Sequence, residues 1–131
     1  MKKINRIQKL QFELMKKSSF NSFNGKKVVE SLMGNRDLWK GVIFDRAGYC
    51  LNNKVVGEYI SLIKLRDIED NIWNADTLFI LPSGKDDKKL KKIAETWSAD
   101  EVTWENNGDQ YDLGSRGSKY DDMKILRVWW D

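Results

Sequence analysis

Asp67, Glu69 and Asp70 stand almost side by side, with Asp76 close behind, and form the densest acidic group of the chain outside its helical stretches. Several carboxylates converging on a hydrated Mg²⁺ make the smallest nuclease-like site, in which the cation activates water and steadies the leaving oxygen. Such a site also wants an acid two residues before a lysine on an adjoining strand. The acid-x-Lys spacings at a marked element are Asp86 with Lys88 and Asp87 with Lys89, and both fall at a helix start. An acidic turn leading into a sheet accounts for the four carboxylates more simply. The chain contains no histidine and one cysteine, Cys50. Ser-His-Asp and Cys-His pairs, histidine acid catalysis near neutral pH and a tetrahedral His/Cys zinc set are therefore excluded. No catalytic, cofactor-binding or metal-ligating residue is assigned, and the chain reads as non-enzymatic.

Two glycine-containing loops invite a phosphate reading. Leu81 to Lys85 (LPSGK) follows an apolar run and opens a helix, the right setting for an anion at a helix N-terminus. Asp86 and Asp87 already occupy that end, complement the helix dipole and repel phosphate. Gly114 to Lys119 (GSRGSK) lacks a strand before it, and its Arg116 and Lys119 suit an adaptable contact loop better than a phosphate cradle. Six tryptophans are more than so small a core readily buries. Partly exposed tryptophan, tyrosine and arginine anchor protein interfaces, which brings Trp39, Trp73 and Trp130 forward. The residues assigned to partner binding are Asp67, Glu69, Asp70, Trp73, Arg116, Lys119 and Trp130.

The elements that must position these residues are clearest in the second half. Thr77 to Leu81 (TLFIL) is a continuous apolar run bounded by turn residues, as in a strand buried on both faces. Leu90, Ile93, Ala94 and Trp97 then fall on one helical stripe, with lysines opposite, which predicts a helix over 86–97. Val102 and Trp104 alternate with polar residues and predict a strand over 101–105, completing a βαβ unit. The closing run MKILRVWW predicts a strand over 123–130 with apolar residues on both faces, inside or beside the sheet.

Earlier in the chain, Leu10, Phe12 and Leu14 alternate and favour a strand over Leu10 to Met15, although Ile4, Ile7, Leu10 or Gln11, and Leu14 also fit a helical period. Asn24 caps a helix carrying Val28, Val29, Leu32 and Met33, stopped by Gly34 and Asn35. Leu38 to Phe44 reads as a short strand or a wide helical turn, and Tyr49 to Gly57 as a loop or hairpin turn. Tyr59 to Leu65 (YISLIKL) is predicted as a strand from its β-branched and aromatic content. Asn106 to Ser118 is turn chemistry and reads as a surface loop.

Length and composition fit one α/β domain with a small mixed sheet: 131 residues, 33% charged. No apolar run reaches the roughly 18 residues of a spanning helix, and the N-terminus lacks the apolar core of a signal peptide, so a cytoplasmic setting is expected. The formal charge of +3 hides an asymmetry. Up to Arg66 there are 14 Lys and Arg against 5 Asp and Glu; from Asp67 onward there are 9 against 15. The halves either neutralise each other by packing or present a patch to a charged partner.

The runs WNADTLFIL, TWSADEVTW and LRVWWD resemble a pattern in small bacterial proteins of unassigned function, over roughly the second half of the chain. Those residues are mostly apolar and aromatic, so the resemblance implies a shared fold and no activity. The function expected is a small protein-binding module, such as a toxin-neutralising immunity protein or an inhibitor, whose acidic half suits a basic toxin or nuclease. The alternatives are a nucleic-acid binder using the basic half, and a carboxylate- and Mg-dependent hydrolase. No cofactor and no membrane is expected.

Overall fold

Asn5 starts the first helix by accepting a hydrogen bond from the Gln8 amide at 2.9 Å, and α1 runs Arg6–Lys16. The computed structural model describes residues 3–46, 50–51, 54–55, 62–106, 113–115 and 117–131. The strand expected over Leu10 to Met15 is thus a helix. Its buried side consists of Gln8, Phe12 and Met15, at i, i+4 and i+7, so one core position is polar and invisible to an apolar period. The alternating Leu10 and Leu14 lie on a different side, in solvent.

A small hairpin, β1 (Ser19–Phe20) with β2 (Phe23–Asn24), reverses the chain. Asn24 then caps α2 (Gly25–Gly34), accepting from the Lys27 amide at 3.1 Å as its sequence context predicts. Gly25 is required here: a Cβ at this position would lie 1.7 Å from the Met15 carbonyl oxygen, so only glycine lets α2 begin against the end of α1. After a short 3-10 turn at Arg36–Leu38 the chain enters β3 (Trp39–Asp45), resolving Leu38 to Phe44 as strand. Cys50–Leu51 (β4) pairs antiparallel with Lys54–Val55 (β5), in keeping with a hairpin; the rest of Tyr49 to Gly57 lies outside the described residues.

The strand expected over Tyr59 to Leu65 is corrected where it is described. Leu62 to Lys64 carry no strand, Leu65–Asp67 is a 3-10 turn, and Leu65 points into solvent. β propensity counts for little where no neighbouring strand supplies a ladder. Residues 59–61 lie outside the described residues.

In the second half, β6 (Thr77–Pro82) is buried on both faces, α3 (Asp87–Ala94) continues as a 3-10 turn to Trp97, and β7 spans Glu101–Glu105. Asp86 caps α3, accepting from the Lys89 amide at 3.1 Å, so the aspartates at the helix start have a structural role. The last strand, β8 (Ile125–Trp129), inserts between β6 and β7, and the sheet order is β3-β6-β8-β7. Both flanking pairings of β8 are antiparallel, hence β6 and β7 run the same way with α3 as their crossover. The α/β class and the βαβ unit are present, but every neighbouring pair in the sheet is antiparallel, because the C-terminal strand separates the two parallel strands.

The helices α1, α2 and α3 all contribute to the core on one sheet face, where Phe12, Met15, Val29, Leu32, Leu90 and Trp97 meet Val42, Phe44, Leu78, Ile80, Leu126 and Val128. A bulge between Trp39 and Gly41 lets Trp39 join Val42 and Phe44 on that face. The Trp39 indole donates to the Leu32 carbonyl at 2.8 Å and the Trp130 indole to the Trp97 carbonyl at 3.1 Å, so both rings are buried with their N–H satisfied. Among the described residues no helix is long and apolar enough to cross a membrane.

Candidate functional site

The side chains of Gln8 and Gln11 clamp α1 to the outer edge of β3. The Gln8 amide accepts from the Val42 N–H at 2.9 Å and donates to the Val42 carbonyl at 3.0 Å. Gln11 donates to the same carbonyl at 2.9 Å and accepts from the Phe44 N–H. Two side-chain amides therefore stand in for a further strand, satisfying edge groups that would otherwise template pairing with another chain. This clamp also sets the rotation of α1.

With Gln8, Phe12 and Met15 turned inward, Ile7, Leu10 and Leu14 form a second apolar stripe facing out, 78%, 58% and 43% exposed. Arg6, Lys9, Lys16 and Lys17 are exposed around it, with Glu13 as the one acid of the helix. Each end of the stripe runs into a depression. Leu14 borders a cavity of about 580 Å³ shared with Ile63, Ile68, Ile72 and Trp73, whose polar rim holds Lys17 and Asp67. Ile7 borders a cavity of about 330 Å³ on the sheet face opposite the core, walled by Ile43, Phe79, Leu81 and Ile125. Single exposed apolar side chains are ordinary on a surface; a stripe joining two apolar hollows is what interaction sites present.

The residues singled out in the sequence fall in different places. Asp67 is buried, accepting from Asn74 Nδ2 at 3.1 Å and lying 3.4 Å from Arg66 Nε, while its backbone carbonyl accepts from the Asp70 and Ile72 amides. It pins the 64–74 turn. Glu69 and Asp70 are exposed on that turn, and Asp76 takes a hydrogen bond from the Thr77 hydroxyl at 2.8 Å. Among the described residues no three His, Cys, Asp or Glu side chains converge to hold a metal ion, so the geometry required of a carboxylate-based hydrolase is missing there.

Trp73 is half-buried, edge-on to Phe44 at 5.3 Å, and does line the larger cavity. Trp130, by contrast, is fully buried against Phe23 and Phe44, so it is a core residue and not a partner contact. Trp39 is likewise buried, with Arg36 over its ring at 4.1 Å. Lys119 is exposed with its Nζ 5.2 Å from the Tyr120 ring, and Arg116 lies outside the described residues.

Sequence reasoning assigned no binding role to Ile7, Leu10, Leu14 or Gly41. A signal for the first three is present: Ile7, Leu10 and Leu14 are spaced i, i+3 and i+7, beside a second set formed by Phe12 and Met15, one more apolar side than a core-packed helix needs. No family model, no curated protein and no solved structure matches the chain, so the reading of this surface rests on its geometry.

Proposed function

We propose that the protein is a non-catalytic protein-binding module that docks its partner along the outer stripe of α1. The observation that carries this is the pair of apolar sides on one helix: Phe12 and Met15 in the core, Ile7, Leu10 and Leu14 in water. Desolvating three large aliphatic side chains is worth roughly 1.5–3 kcal/mol each when they are fully covered, and nothing described within the domain collects that energy. The cations around the stripe select a partner with acidic residues flanking an apolar ridge, because opposite fields speed encounter and fix orientation. An amphipathic helix of that composition fits a helix-and-groove surface with anchors at both ends. Neutralising a toxin or inhibiting an enzyme is the biological form this reading favours, since covering a partner's active surface requires no catalysis by the module itself. Glu69 and Asp70, exposed on the turn between Ile68 and Asn71, which line the larger cavity, would meet basic residues at the partner's far end.

The test uses the full chain, tagged, as bait in nuclease-treated lysate of the source cells, with elution in salt steps. Parent bait should retain a protein that Leu10→Glu retains at least about tenfold less well, a difference of about 1.4 kcal/mol. Leu10 is exposed, so that variant should keep the parent's unfolding temperature. Equal retention by parent and variant would overturn the proposal, and retention seen only in a parallel lysate left without nuclease would transfer the function to nucleic acid held by the basic half.

A further inference from the structure

The outer stripe of α1 has an internal order that narrows what can sit on it. Ile7, Leu10 and Leu14 are followed by Lys17, which keeps a helical backbone at the C-cap, so the outward positions alternate by three and four residues. That alternation is the seam along which two helices pack at a shallow angle of roughly 20°. Its two ends are cationic. Arg6 lies one turn before Leu10 and Lys17 one turn after Leu14, both exposed and about 16 Å apart along the helix axis.

Three observations decide the occupant. A strand added at the β3 edge beside α1 is excluded, because the Val42 N–H and carbonyl and the Phe44 N–H are already bonded to Gln8 and Gln11. With that ladder occupied, recognition here runs through side chains, as when a helix lies along an apolar track. A second copy of this chain is disfavoured by charge. Arg6 and Lys9 stand in the first half of the helix and Lys16 and Lys17 at its end, so two α1 helices meet cation to cation in either direction. An anionic bilayer is disfavoured by Glu69 and Asp70, exposed on the turn whose Ile68 and Asn71 line the hollow next to Leu14. Those carboxylates bring negative charge to the face that a membrane surface would cover.

We infer that the occupant is a single amphipathic helix of the partner protein, about three turns long, with an apolar seam and a carboxylate at each end. This deepens the docking reading given above and rests on it. The seam residues of the partner helix fill the gaps around Ile7, Leu10 and Leu14, while one carboxylate meets Arg6 and the other meets Lys17. Past Lys17 the apolar track continues into the cavity of about 580 Å³, where Ile63, Ile68, Ile72 and Trp73 receive a large apolar side chain from the end of that helix.

The probe is an acetylated and amidated synthetic peptide of about 18 residues, long enough to populate a helix in water. It has an alanine-rich background, leucines spaced i, i+3 and i+7, and glutamates in its first and last turns. The comparisons are a peptide with lysines in place of those glutamates, a peptide of the same composition with the leucines scattered, and vesicles of phosphatidylglycerol and phosphatidylcholine. Two-dimensional NMR of the full chain should show saturable shifts centred on Ile7, Leu10, Leu14 and Lys17 with the glutamate peptide. The Cα shifts of a carbon-13 labelled peptide should move to helical values on binding. The lysine and scattered peptides should each bind at least about tenfold more weakly. Lys17→Glu should weaken the glutamate peptide by at least about threefold and strengthen the lysine peptide, with Lys17→Gln falling between it and the parent. Absence of saturable binding, equal binding of the glutamate and lysine peptides, a bound peptide that gains no helix, or vesicle binding that Leu10→Glu removes would overturn the inference. Capture from lysate separates the two readings. If Leu10→Glu abolishes capture and the glutamate peptide does not bind, docking on the stripe stands and its helical occupant falls; if Leu10→Glu leaves capture unchanged, both fall.

Discussion

Replacing Gln8 by glutamate tests how α1 is held. Gln8 is 9% exposed and makes one accepted and one donated bond to Val42, at 2.9 and 3.0 Å. The Val42 carbonyl keeps Gln11 as a second donor at 2.9 Å, but the Val42 N–H has no substitute. Truncation to alanine therefore forfeits two net bonds of about 0.5–1.5 kcal/mol and leaves a buried N–H unpaired, for a total of about 2–3 kcal/mol. In a chain of this size 1 kcal/mol corresponds to roughly 3–5 °C in the unfolding midpoint, so Gln8→Ala should lower it by about 6–15 °C. Glutamate has the same shape and a different proton count. Ionised, it still accepts from the Val42 N–H but turns a lone pair on the Val42 carbonyl; protonated, it donates to that carbonyl as glutamine does. Burial and the facing carbonyl raise the folded pKa of the carboxyl introduced by Gln8→Glu above the unfolded value of about 4.3. The deficit relative to the parent should be small below about pH 4, grow as pH rises through the unfolded value, and level off above the folded one. Urea unfolding of parent and variant at about pH 4 and pH 7 measures it, with hydrogen exchange at the Val42 amide as a local readout. A Gln8→Glu chain as stable as the parent at neutral pH, or a deficit that does not shrink on acidification, would refute the clamp.

Three further outcomes are expected. Trp97→Ala, which empties a fully buried ring site under α3, should cost about 3–5 kcal/mol by chemical denaturation; a change within about 0.5 kcal/mol would mean that α3 is not seated as described. Gly25→Ala should destabilise by more than about 2 kcal/mol, because its methyl group meets the Met15 backbone and not a side chain that can turn away. Ser115→Ala should raise the stability of the protein by about 1 kcal/mol through removal of a buried hydroxyl that has no hydrogen-bond partner among the described residues; an unchanged or lowered unfolding midpoint would show that the hydroxyl is already satisfied.

The second half of the chain is legible because its signals are local and agree with one another. TLFIL gives a strand buried on both faces, Asp86 caps the helix that its lysine-backed stripe predicts, and Val102 with Trp104 alternates as β7 does. The position of the C-terminal strand is half legible: its two-sided apolar pattern requires an interior place, but which strands flank it depends on pairing across a long stretch of sequence. The first helix escapes the sequence reading because two of the side chains that fix it are glutamines. Their value comes from a strand edge more than thirty residues away, and no hydrophobic period contains that information.

The candidate surface divides the same way. From residue types alone it follows that histidine chemistry is absent, that the basic and acidic residues fall in separate halves, and that the aspartates after LPSGK serve a helix start. Those statements are fixed by composition and by neighbours within one turn. Whether a tryptophan is anchor or core is decided by packing, which buries Trp130 and Trp39 and leaves Trp73 at a cavity rim. Which leucines of α1 face water is decided by the rotation that Gln8 and Gln11 impose, and the pocket at Gly41 exists because β3, β6 and β8 bring Ile43, Phe79 and Ile125 onto one face. Exposure and enclosure are properties of what lies opposite a side chain, and only the tertiary structure supplies the opposite side.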